Sequence, residues 1–157
     1  MLGSVAAIGL AAATKCVGEA AQPAVVGAWR LESFDERVAD GSFKPRLGAD
    51  PVGYLIYTAS GRVSATLSGI HRQPLTSGSA PSGPANCNES VHDFLAYAGR
   101  YEITGSTVLH HIETSVFTNL VGVTLKRRLQ LRGDTLTIRT LPPYIWGSQS
   151  VLVWRRT

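Results

Sequence analysis

Thr107-Val108-Leu109-His110-His111-Ile112-Glu113-Thr114-Ser115 has the composition of a β-strand, rich in β-branched and aliphatic residues. It nevertheless carries two histidines and a carboxylate that a buried strand normally excludes. Side chains alternate across a strand, so one face takes Leu109, His111, Glu113 and Ser115, and the other takes Val108, His110 and Ile112. Whichever face turns inward, the interior wall gains at least one group able to bond or titrate.

Working outward, the same pattern recurs at short intervals. Downstream lie Thr124 to Leu131, a Gly133-Asp134 turn, Thr135 to Thr140, and Ser150 to Arg156. Upstream lie Arg100 to Thr104 with a Gly105-Ser106 turn, a hairpin of Val52 to Thr58 and Arg62 to Ser68 around Ala59-Ser60-Gly61, and a long first strand from Val25. On that first strand Val25, Gly27, Trp29, Leu31 and Ser33 share a face. The segment Gly69 to Asn88 is rich in Gly, Ser and Pro and has no periodicity, which predicts a surface loop at the barrel mouth. Asn88 or Ser90 is placed to cap a short helix over Val91 to Ala98, in which Val91, Phe94, Leu95 and Ala98 fall on one side. Strands joined by tight turns, with no long helix between them, predict an all-β, antiparallel up-and-down barrel of eight or more strands with one short helix. Closure removes the free edges that an open sheet would expose.

A length of 157 residues suits one domain. The +4 formal charge is spread over single basic residues, apart from Lys126-Arg127-Arg128 and Arg155-Arg156, which lie within strand patterns; this argues against nucleic acid as a partner. Residues 1–21 form a separate segment: Leu2, Val5 to Leu10 and Ala11 to Ala13 resemble a signal-peptide core, without a basic residue before it and too short for a membrane span. That predicts a secreted protein, or a cytoplasmic one if the segment is only an N-terminal arm, with the barrel domain over residues 22–157. Export would permit a disulfide between Cys16 and Cys87; in a cytosolic chain two free thiols are expected.

Several motifs occur together and in order: Gly27-Ala28-Trp29; Asp50-Pro51-Val52-Gly53-Tyr54-Leu55-Ile56-Tyr57-Thr58 followed by Ser60-Gly61-Arg62; Tyr97-Ala98-Gly99-Arg100-Tyr101; His110-His111-Ile112-Glu113; Gly133-Asp134-Thr135-Leu136; and Val153-Trp154-Arg155-Arg156. In these the chain resembles the bacterial and fungal lipocalin-like domain family from about Val25 to its C-terminus. The resemblance implies a small calycin-type barrel and a cup for a small apolar molecule, without naming an activity. It also implies that Trp29 closes one barrel end, with Arg156 or Arg155 laid across its ring. The Gly- and Pro-rich insertion around Thr76 to Asn88 is longer than the family pattern leads one to expect.

For the site, a hairpin centred near Asn119 would set His111 opposite Arg127, with Glu113 diagonal to it. Arg127 is in phase with Leu125, Leu129 and Leu131, which look inward. Register with Arg127 thus favours the His111 face as the lumen, while the count of apolar side chains favours the His110 face. On the first reading His111, Glu113 and Arg127 meet in the cavity, and Tyr54, Tyr97, Tyr101, Leu125 and Leu129 form its ligand-binding wall. The functional expectation is a barrel that binds a small hydrophobic molecule. The alternative is a cofactor-independent isomerase or cyclase of a secondary metabolite, in which His111 or Glu113 moves a proton and Arg127 stabilises developing negative charge. His71, His92, His110, His111 and Glu113 lack the three- or four-ligand spacing of a zinc site, and no phosphate-binding loop or nucleophile elbow occurs, so neither metal nor cofactor is expected.

Overall fold

The computed structural model describes residues 22–70, 72 and 93–157. The export-like segment with Cys16, and most of the Gly- and Pro-rich loop with His71, Cys87 and His92, lie outside the described residues. A four-residue helix α1 (Gln22–Val25) precedes β1 (Gly27–Arg37), β2 (Phe43–Pro45), β3 (Val52–Tyr57), β4 (Arg62–Ser68), β5 (Phe94–Thr104), β6 (Thr107–Ser115), β7 (Thr124–Arg132), β8 (Thr135–Thr140) and β9 (Ser150–Arg156). From β3 to β9 each strand pairs antiparallel with the next, and β1 pairs with both β3 and β9. Eight strands thus close on themselves, and β2 adds a short ninth beside the far end of β1.

Closure gives every strand an inner and an outer face, and the apolar alternation decides which is which. On β3 Gly53, Leu55 and Tyr57 turn inward while Val52, Tyr54 and Ile56 meet solvent. On β7 Leu125, Arg127 and Leu129 are inside, and on β9 Ser150, Leu152 and Trp154. Two bulges interrupt the rule. Leu31 pairs with Trp154 but Ser33 with Val153, so Glu32 is an extra residue on β1. Beyond it the inward phase passes to Phe34, and Ser33 does not continue the face of Trp29 and Leu31.

The second bulge shapes β6. Ala98 pairs with Thr114 and Gly99 with Ile112, leaving Glu113 as the extra residue. The bulge brings the β6 backbone against Gly99, where an added Cβ would overlap the carbonyl oxygen of His111, so only glycine fits there. The helix expected over Val91 to Ala98 is not formed where the chain is described: Phe94 to Ala98 belong to β5 and pair with Ser68 to Ser64 of β4. Ala96 and Ala98 suit either conformation, and the β4 edge supplies the hydrogen bonds that decide for strand.

One barrel end is closed as the sequence implies. Trp29 is fully buried, its indole N–H donates to the Val25 carbonyl at 2.9 Å, and the Arg156 guanidinium lies 4.1 Å from the ring centroid. The same guanidinium donates to the carbonyls of Val26 (3.1 Å) and Ala24 (2.7 Å), which fastens the chain before β1 onto the end of β9. Gly27, at φ +136°, makes the tight entrance to β1 beneath this arginine. Arg156→Met keeps much of the bulk but loses the cation–π contact and both hydrogen bonds. It should lower stability by about 1–3 kcal/mol in urea titration, and an unchanged midpoint would refute the role given to the plug.

Candidate functional site

The β6–β7 hairpin is three residues out of the expected register. His111 faces Thr124, His110 faces Leu125 and Val108 faces Arg127. The connecting loop is not a symmetric turn: it contains a short 3-10 turn (Thr118–Leu120) that drives Leu120 into the core. Anchoring Leu120 and bulging Glu113 together shift the pairing by an odd number, which reverses the parity of β6.

The expected convergence of His111, Glu113 and Arg127 is therefore corrected. His111 lies on the outer face, with Nδ1 2.9 Å from Thr124 Oγ1 and Nε2 3.4 Å from Glu102. Glu113 is also outside, held by Arg62 at 2.6 Å and Arg100 at 3.0 Å. Both arginines are more than half exposed, so this is a screened surface cluster of small energetic weight. Arg127 is inside as expected. Tyr54, placed in the ligand wall from sequence, is 49% exposed on the outer face of β3. Its strand is apolar on both faces, so composition does not reveal which one faces the lumen. Leu125, Leu129, Tyr97 and Tyr101 are buried, and of these four only Tyr97 reaches the wall of the central cavity.

The inward parity of β6 brings His110 between two tyrosines. Its Nε2 is 2.7 Å from the Tyr57 hydroxyl and its Nδ1 2.9 Å from the Tyr97 hydroxyl. The Tyr57 ring packs edge-on against Tyr101, whose hydroxyl donates to the Thr58 carbonyl at 2.9 Å and ties the β3–β4 turn to the barrel. Burial, followed by the nearby positive charge of Arg127 and by His111, pushes the His110 pKa well below the usual histidine value. Burial also pushes the Tyr57 hydroxyl well above its usual value. Both groups are thus neutral at physiological pH.

A neutral imidazole has one donor and one acceptor nitrogen, so one tyrosine gives its proton to the ring and the other receives the ring N–H. Tyr57 is sealed in the core with His110 as its hydroxyl's hydrogen-bond partner, whereas Tyr97 lines the central cavity. Satisfying every buried donor therefore has Tyr57 donating to Nε2 and Nδ1–H donating to Tyr97. The Tyr97 hydroxyl proton is then left for the cavity.

That cavity is walled by Phe34, Leu55, Leu67, Leu95, Ile138, Leu152 and Trp154, with Tyr97, Arg127 and Trp146 beside them. Arg127 is 7% exposed, and among the described residues it makes no ion pair or side-chain hydrogen bond; its guanidinium lies 5.9 Å from the Tyr97 ring centroid. Trp154 has a buried indole N–H with no acceptor. Sequence reasoning left out Trp146 and Trp154 as cavity residues. The phase of Ser150, Leu152 and Trp154 was the available signal for the last of these.

A family model described as a lipocalin-like domain matches residues 26–157. The chain is 31% identical over 78 residues to the 4'-hydroxy-3'-methoxypropiophenone carrier protein of Aspergillus oryzae, covering 43% of this chain and 70% of that one. Two solved structures are similar at 14% identity. One is a lipocalin-like protein from Bacteroides uniformis, covering 84% of this chain and 97% of its own at a TM-score of 0.44. The other is an uncharacterized protein from Bacteroides eggerthii, at 84% and 98% and a TM-score of 0.45. No helix among the described residues is long and apolar enough to cross a membrane.

Two consequences are measurable. A buried guanidinium without a carboxylate is destabilising, so Arg127→Met should raise unfolding stability by about 1–3 kcal/mol; a loss of that size would mean that the charge has a partner in the fold. The unfolded chain protonates its histidine near pH 6.5 while folded His110 does not, so the unfolded state binds the extra proton and stability must fall as pH drops below about 6.5, by up to about 1.4 kcal/mol per pH unit. The slope ends where folded His110 itself titrates. His110→Gln should flatten this limb in urea midpoints measured against pH, and an equally steep variant would contradict the buried neutral imidazole.

Proposed function

The chain belongs to the lipocalin-like domain family, and on that footing we propose that it binds and carries a small, mostly apolar molecule in the lumen of its barrel. The observation that carries this reading is an apolar cavity, in a barrel closed at one end by Trp29 and Arg156, lined by a buried arginine that has no ion pair among the described residues. Apolar walls with a few placed polar groups are the usual makeup of a small-molecule site. The similarity to a carrier of an aromatic ketone supports a ligand of comparable size and aromatic character.

The free space in the lumen is about 20 Å³, close to what one water molecule needs. A second cleft of about 60 Å³ lies beneath Pro143 to Trp146 and shares Arg127, Thr140, Trp146 and Ser150 with it. Joining the two by swinging Trp146 aside makes room for a ligand next to Arg127. The neighbouring backbone is anchored independently, by Ser148 to Glu36 at 2.6 Å and by the Arg37 N–H to the Gln149 carbonyl at 2.8 Å, so the ring can move without releasing the strand ends.

The isomerase or cyclase alternative loses the acid–base pair it rested on, since His111 and Glu113 lie outside the barrel. Titration with 4'-hydroxy-3'-methoxypropiophenone should quench tryptophan emission saturably, and Trp146→Ala should bind it at least as tightly and several-fold faster. An absence of saturable binding to both proteins, with smaller aryl ketones also failing, would remove the carrier reading.

A further inference from the structure

The polar groups that line the cavity are unbalanced in charge. Arg127 offers guanidinium N–H groups, Tyr97 offers the hydroxyl proton that the His110 pairing leaves over, and Trp154 has an indole N–H without an acceptor. No carboxylate lies within ion-pairing distance of Arg127 among the described residues, and the nearest carboxylate on its partner strand, Glu113, is on the outer face and already held by two arginines. The hydroxyls of Thr140 and Ser150 also line the cavity and can accept, but no group there among the described residues balances the charge of Arg127, so what the cavity lacks is an anion. Water can accept from these donors but leaves the charge unbalanced.

We propose that the ligand bears an anionic oxygen, a carboxylate or an ionised electron-poor phenol, which pairs with Arg127 and accepts from Tyr97. This deepens the carrier reading and rests on it. A planar guanidinium takes two oxygens or one strongly charged oxygen in charge-assisted hydrogen bonds, and these are roughly twice as strong as neutral ones. The apolar walls then hold the rest of the molecule, and the Tyr57–His110–Tyr97 chain fixes the tyrosine proton toward the ligand, since neutral His110 has no second proton to give Tyr97 in exchange. The same unpartnered charge that destabilises the empty barrel becomes the source of its selectivity.

The test uses matched probes in calorimetric titrations: hydrocinnamate against hydrocinnamamide, and para-hydroxyacetophenone against para-methoxyacetophenone at a pH where the phenol is ionised. In the wild-type protein the anionic member of at least one pair should bind about tenfold or more tighter than its neutral partner, and the tighter pair tells carboxylate from phenolate. Arg127→Met should abolish that preference, and Arg127→Lys should keep part of it. Thermal melts check that each variant is folded, and the wild-type comparison stands even if one is not. Equal affinity for both members of each pair would overturn the anionic site while leaving the carrier reading intact. Binding of none of the four would overturn both.

Discussion

The hydrogen bonds that join β1 to β9 convert a long antiparallel ribbon into a closed barrel, and closure is the constraint on which the other features depend. Once the sheet has no free edge, each strand must commit one face to the lumen and the other to water. Trp29 opposite Arg156 fixes the seam at one end, and Phe34 opposite Leu152 continues it beyond the Glu32 bulge. The bulges are how the chain reconciles strict alternation with the residues it must place. One brings Phe34 into the cavity, and the other expels Glu113 while leaving Ile112 in the core.

Inside, the polar groups fall into two sets with different tasks. His110 is satisfied by Tyr57 and Tyr97, and Tyr101 by the Thr58 carbonyl; with the Tyr57 ring packed on Tyr101 they form a hydrogen-bonded core layer. Tyr97 and Arg127 line the cavity, one with a spare proton and the other with an unneutralised charge. Stability alone selects against such an arrangement, because an apolar side chain at position 127 would serve the empty fold better. On the proposed function, the unfavourable burial of this charge in the free protein is relieved when a guest binds.

Strands β3, β4, β7, β8 and β9 could be read from alternation and turn residues, and the Trp29–Arg156 contact from the family resemblance. Arg127 could be read as inward because its phase with Leu125 and Leu129 is local. The parity of β6 could not. It depends on Leu120 docking into the core and on Gly99 admitting the Glu113 bulge, both settled by contacts distant in sequence. His110 escaped notice as a core hub for a related reason: its partners come from β3 and β5, 53 and 13 residues away. The N-terminal part of β5 was misread because Phe94, Leu95 and Ala98 fit a helical stripe as well as a strand, and only pairing with β4 separates the two.

The proposed role of the barrel is to hold a small apolar molecule by an acidic oxygen. It is tested most directly by purifying the native protein from its own cells without denaturation, extracting what it carries and identifying it by mass spectrometry. A single stoichiometric species with an aromatic or aliphatic skeleton and a carboxylic acid or acidic phenol is expected. A stoichiometric guest that is cationic, or that has no acidic oxygen, would contradict it.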